Sequence, residues 1–231
     1  MDVFLIPAGR RQHQLYCEVP EAPRADLAEP RQRGWRRRLF DSFSSVVTNV
    51  ETARHKATER RATRAPRTFT RRAKDRVVCW LAEKIAEQRL LWHLRGQASA
   101  TAWFPDDLAE QDASVELKRI LRSDADRHRR WLIIDLACLL VAIVFSIVPG
   151  PNLLGYYFAF RVVGHYLSLG GARNGLARVR WEMRGSSALS DLRAVINLEP
   201  AVRRRHVEEV AERLRLQNLA AFVERVAVPW P

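Results

Sequence analysis

A chain of 231 residues with a formal net charge of +13 is long enough for one or two small domains and too short for a large polytopic transporter. Cys17, Cys79 and Cys138 are far apart and show no C-x-x-C spacing, which argues against a disulfide framework or a zinc site and fits a reducing compartment. The excess of base flanks a nearly neutral apolar stretch, +9 before Trp131 and +4 after Gly171, so an anionic counterpart is expected.

Residues 3–7 and 12–19 read as two short strands around a turn-like AGRRQ, with Phe4, Ile6, Leu15 and Cys17 alternating as strand faces do. A lone hairpin is marginal in water, so helices must pack on it. The opening MDVFLIPAG is too short an apolar run for a signal peptide, and no Arg-rich amphipathic transit stretch leads the chain. His13 and Cys17, four apart, read as a chance pair rather than metal ligands.

Residues 18–34 are rich in Pro and charge and read as a loop. Trp35, Leu39, Phe43, Val46, Val47 and Val50 then recur at helical spacing behind Arg36, Arg37 and Arg38, an amphipathic helix suited to a membrane surface or a core. Residues 52–72 carry many Arg and Thr and few apolar side chains, a solvated or flexible segment. Residues 74–94 form a second helix, with Val77, Val78, Leu81 and Ile85 on its core side and Gly96 at its end. The loop with Trp103, Phe104 and Pro105 leads to Asp106 and Asp107, which cap a helix running to the apolar stretch. These two acids, with Glu110 and Asp112, complement a helix dipole; their spacing matches no calcium loop.

Between Trp131 and Gly171, two apolar runs are separated by Pro149, Gly150, Pro151 and Asn152. The prolines lack amide donors, the glycine permits a tight reversal and the asparagine can cap the second helix. Each run approaches the ~20 residues needed to cross a bilayer core of ~30 Å, so the stretch reads as an antiparallel transmembrane hairpin. Arg122, Arg127, Arg129 and Arg130 precede it, Arg173, Arg178, Arg180 and Arg184 follow it, and the turn is uncharged. Both termini are therefore expected on the cytoplasmic or matrix side. Trp131, Tyr156, Tyr157 and Trp181 read as interface anchors.

Three ionisable residues interrupt the runs. Counted from Gly150, Asp135 and His165 lie at similar depth on opposite helices, and Arg161 is one turn from His165 on the same face. Asp135 against Arg161 neutralises two charges, and His165 beside them could titrate near neutral pH, which makes the trio a candidate proton- or ion-responsive cluster. The plain alternative is an ion pair that makes insertion tolerable. Beyond the hairpin, residues 173–184 are expected to continue along the interface. Ser190-Asp191 and Glu199-Pro200 then open further helices, with Val207, Val210 and Leu214 as apolar positions.

The reading is a mainly α membrane protein with a two-helix transmembrane hairpin, amphipathic flanking helices and a short N-terminal β-hairpin. Residues 1–130 form a basic cytoplasmic or matrix-side region, 131–171 the hairpin and 172–231 a helical C-terminal region. No nucleophile elbow, phosphate-binding glycine loop or paired Cys/His ligands stand out, so no enzyme activity, cofactor or metal is expected. The lipid bilayer and its anionic lipids rank above nucleic acid as partners, since no nucleic-acid motif is present. Two helices cannot enclose a hydrated path, so ion movement would require a homo-oligomer or a membrane partner subunit.

FLIPAGRRQHQLYC and PGPNLLGYYFAFRVVGH resemble the mitochondrial potassium/proton exchange-related family, through Leu5, Pro7, Tyr16 and Cys17 and through Pro149, Pro151, Asn152, Tyr157, Arg161 and His165. Gly164 stands where the family pattern has Ser. The resemblance implies a component or regulator of potassium/proton exchange, with potassium ion and proton as the exchanged species. The departures point to a bacterial member in the cytoplasmic (inner) membrane, the eukaryotic counterpart being the mitochondrial inner membrane. The competing reading is a scaffold that binds anionic lipid through its basic region.

Overall fold

The apolar run Val3–Ile6 is buried on both faces of a strand, as happens only at the centre of a sheet covered on two sides. In this computed structural model, which describes residues 1–9, 12–18, 90–144, 153–196 and 198–226, that strand is β1 (Asp2–Pro7). β2 (His13–Tyr16) pairs with it antiparallel, with Pro7 opposite His13 and Phe4 opposite Tyr16. β3 (Ser99–Pro105) lies parallel to β1 on its other side, and β4 (Arg180–Ser186) lies parallel to β3, giving the order β2-β1-β3-β4. The helices are α1 (Glu110–Val144), α2 (Leu153–Ala177), α3 (Ser187–Val195), α4 (Pro200–Leu214) and α5 (Leu219–Val226). The chain divides into two compact units, Met1–Glu21 with Leu90–Pro231, and Ala22–Arg89; the described residues all belong to the first. The helix expected from Trp35 to Val50 lies outside the described residues, as do most of the helix at 74–94 and the turn Pro149–Asn152.

Alternation sends side chains from each strand into two separate cores. Val3, Leu5, Ala102 and Phe104 meet Leu94 and Leu117 on one face. Phe4 and Ile6 meet Leu189, Leu192, Val207 and Leu219 of α3, α4 and α5 on the other. The contacts His128–His165, Asp135–Arg161 and the approach of Leu121 to Gly175 run in opposite sequence order, so α1 and α2 are antiparallel.

Gly171 lets α2 touch the helical turn at residues 90–94. A Cβ there would fall far inside contact distance of the Leu91 carbonyl oxygen, a backbone atom that cannot swing away. Gly171→Ala is expected to cost about 2 kcal/mol, within the usual range for overpacking. Urea unfolding at pH 7 checks it, and an unchanged midpoint would show that the two helices separate without cost.

The transmembrane hairpin is not supported. No helix among the described residues is long and apolar enough to cross a membrane. The apolar part of α1, residues 131–144, spans only ~21 Å of axis and contains Asp135, while α2 carries Arg161 and His165. The lower half of α2 is also used within the protein, where Leu167, Leu169 and Ala172 are buried. Ile133, Leu140 and Val141 on the outer face of α1 are exposed. With the spanning segments go the inner-membrane localisation, bacterial or mitochondrial, the cytoplasmic-side orientation and the membrane-embedded role in potassium/proton exchange. The lipid-bound scaffold, the bilayer and its anionic lipids as partners, and the oligomer or membrane subunit needed to complete a path lose the same premise. Several arginines that contribute to the basic charge pair with acids of the same chain, among them Arg119 with Glu116, Arg127 with Asp124, Arg193 with Asp107 and Arg213 with Asp191.

The residues read as interface anchors have these places in the fold. Trp181 stands in β4 and donates its ring N–H to the Gly175 carbonyl at 2.8 Å. Trp131 and Tyr157 flank Arg161, and the Tyr156 side chain lies outside the described residues. The second helix does not end at Gly171 as expected: α2 runs on to Ala177, and within the segment 173–184 the Arg180 N–H bonds the Ala98 carbonyl as β4 joins β3. The loop with Trp103 and Phe104 is β3. Both stretches acquire strand form from parallel pairing with distant partners rather than from a local pattern. The fold is therefore mainly helical with a mixed four-stranded sheet between helical layers.

Candidate functional site

Asp135, Arg161 and His165 meet between α1 and α2. The seven-residue step from His128 to Asp135 keeps both on one face of α1, and the four-residue step from Arg161 to His165 does the same on α2. Asp135 is 2% exposed, and a single oxygen of it, Oδ2, meets both partners: it accepts from Arg161 Nε at 3.0 Å and lies 3.2 Å from His165 Nε2. Arg161 also donates to the Tyr157 hydroxyl at 3.1 Å, and its guanidinium lies 5.4 Å from the Trp131 ring centroid and 5.7 Å from that of Tyr157. Both are cation–π distances.

A fourth member was not singled out from sequence. His128 is 4% exposed, and its Nδ1 sits 2.8 Å from His165 Nδ1. Its signal was available, because His128 stands two helical turns before Asp135 and shares its stripe. Behind the pair, Trp92 Nε1–H donates to the buried Ser168 hydroxyl at 2.9 Å and lies 3.3 Å from the Gly164 carbonyl, which ties α2 to residues 90–94.

The hydrogen-bond network assigns the protons. With the Asp135 carboxylate 3.2 Å from His165 Nε2, neutral His165 is assigned the Nε2–H tautomer with a bare Nδ1, and the 2.8 Å contact between the two Nδ1 atoms then makes His128 Nδ1–H the donor. The remaining lone pair of the dyad is on His128 Nε2. A proton added there lets the Nδ1 proton pass to His165, leaving an imidazolium against the Asp135 carboxylate and His128 in its other tautomer. At neutral pH the pair holds no extra proton. Burial pushes His128 down to about 4, helped by His165 and Arg127. Burial likewise lowers His165, with Arg161 and Arg127 acting in the same sense and Asp135 opposing them. Desolvation works against the charge on Arg161, but its hydrogen bonds to Tyr157 and Asp135 outweigh it and hold the guanidinium above its ordinary value.

The other polar candidates do not join this group. His13 in β2 has no hydrogen-bond partner at either ring nitrogen among the described residues, and its nearest acid is Glu116, 3.7 Å away. Burial foremost, with Arg193 and Arg119, lowers its pKa against the pull of Glu116. Cys17 packs beside the core. Asp106 and Asp107 bond the Ser190 hydroxyl, and Asp107 pairs with Arg193, so they tie α3 to the end of β3. Glu110 and Asp112 occupy the first turn of α1, where acids complement the helix dipole. No group of three His, Cys, Asp or Glu that could hold a metal ion occurs among the described residues.

No curated protein and no solved structure matches the chain. Residues 2–177, from the start of β1 to the last residue of α2 and including all four members of the cluster, match a family model described as mitochondrial K+-H+ exchange-related. That description is one of exchange rather than of an enzyme. By this match the chain belongs to the mitochondrial K+-H+ exchange-related family.

Proposed function

We propose that this chain is a non-enzymatic, proton-responsive module whose sensor is the cluster of His128, His165, Asp135 and Arg161. The observation that carries the reading is the 2.8 Å contact between two buried histidine Nδ1 atoms, one of which is bound through its other nitrogen to a carboxylate. One hydrogen bond between two imidazoles holds one proton, so any further proton must be shared by the pair and changes the charge between two packed helices. Two helices joined by such a bond respond as a unit, since a charge buried there is costly unless its partners rearrange. The family description, exchange of protons with potassium ions, suits a protein whose chemistry is the uptake and release of a proton.

Histidine ring 15N titration of the full chain tests the reading. His128 and His165 are expected to titrate as a coupled pair below the ordinary histidine value, with amide shifts along α1 and α2 following the same curve. His165→Gln should abolish the coupling. Two independent titrations at the ordinary value, with helix amides unmoved, would sink it.

A further inference from the structure

One oxygen of Asp135 faces two nitrogens, Arg161 Nε at 3.0 Å and His165 Nε2 at 3.2 Å, and that arrangement suits the resting charge but not the protonated one. With His165 neutral, the carboxylate pairs with one full positive charge among the described residues, Arg161, and has the uncharged His165 ring beside it. Once His165 is an imidazolium, two cations share Oδ2. They differ in what they can do. The His165 side chain is 11% exposed and wedged between Asp135 and His128, whereas the Arg161 side chain is 30% exposed at the solvent edge of the helix pair. Arg161 also has somewhere to go, because the rings of Trp131 and Tyr157 that flank it are themselves about half exposed.

We infer that Arg161 is the output of the sensor: a proton on His165 transfers Asp135 from Arg161 to the imidazolium and releases the guanidinium to the surface beside Trp131 and Tyr157. The inference rests on the proton-responsive reading above and adds to it a direction, from a buried proton to an exposed cation. No covalent bond beyond the N–H bonds of the transferred protons is made or broken. His165 gains the proton handed on by His128, the Arg161–Asp135 hydrogen bond gives way, and Asp135 keeps one charged partner throughout.

The groups that face His165 support the direction. From α1 these are Asp135, His128 and, through its field, Arg127; from α2, Arg161, which is itself bonded to the Tyr157 hydroxyl; from residues 90–94, Trp92 bonds the neighbouring Gly164 carbonyl. Arg95 lies against the Tyr166 ring, and Arg127 is paired with Asp124. Asp135 is therefore the one carboxylate among these groups in contact with His165, and a new cation there displaces the more solvated of its two partners. The freed guanidinium is a planar fork of donors suited to a carboxylate or phosphate oxygen pair, which Asp135 denies it at rest.

Arginine Nε–H exchange in the full chain decides the matter, with the Arg161 resonance identified by its loss in Arg161→Lys. Protection relative to free arginine at the same pH is expected to be high at pH 7.5. It should fall at least tenfold on acidification, with the midpoint of the His165 ring titration. In His165→Gln the protection should persist over the same range. In His128→Gln, which moves the His165 midpoint, the loss at Arg161 should move with it, and this variant serves if His165→Gln does not fold. Arg161 staying protected while His165 titrates overturns the inference and leaves the proton-responsive reading in place. Loss of protection in His165→Gln overturns the inference as well. A folded protein in which His165 takes up no proton overturns both.

Discussion

Asp135→Ala is expected to lower folding stability by about 3 kcal/mol at pH 7, the low end of the cost of breaking a buried pair from one side. The carboxylate is 2% exposed and serves Arg161 and His165 at once, so its removal leaves a guanidinium and an imidazole N–H without their acceptor. The low end applies because the Arg161 side chain is 30% exposed and keeps the Tyr157 hydroxyl, so part of its charge can turn to water. Asp135→Asn should cost less, since the amide oxygen still accepts. Urea unfolding of the two variants beside the parent provides the test. A loss below about 1 kcal/mol for the alanine variant would place the pair among exposed ones, which contribute little.

Acidification should remove a comparable amount. His128 titrates near 6.5 in the unfolded chain and at about 4 in the folded one, so between these values the unfolded state binds the extra proton. Its contribution is fully present above pH 6.5, is lost as the pH falls toward 4, and amounts to about 3 kcal/mol for a shift of this size. His165 and His13 are also lowered and act with the same sign. Against a typical total of ~5–15 kcal/mol, the parent should lose a large share of its stability before most carboxylates titrate. Urea midpoints from pH 7.5 to 4 measure the slope. His128→Gln should flatten it, and equal slopes in the two proteins would mean that His128 is not the group responsible.

These outcomes depend on a cluster whose parts were unequally legible. Asp135, Arg161 and His165 could be brought together by counting, because a fixed rise per residue on both sides of Pro149–Asn152 converts sequence distance into depth along two antiparallel helices. His128 obeys the same periodicity, but it stands among Arg127, Arg129 and Arg130, where charge disguised a position on the buried stripe. The N-terminal hairpin was readable from two short apolar-bearing runs around the turn-like AGRRQ. The parallel strands β3 and β4 were not, since a parallel pair needs a long crossover and leaves no local signature.

The amino-acid sequence by itself determined the apolar runs, the helical period that aligns the ionisable residues, the alternation of β1 and β2, and the motifs that mark the family. Only the tertiary structure decided what the runs are used for. An apolar helix face carries the same pattern whether lipid or protein covers it. Here the choice shows in contacts that sequence cannot encode locally: Gly171 against the Leu91 backbone, Trp92 on Ser168, and Leu121 beside Gly175. Those contacts use the inner face of α2 within the protein, and the ionisable residues that made a membrane span costly become a satisfied polar cluster between two packed helices.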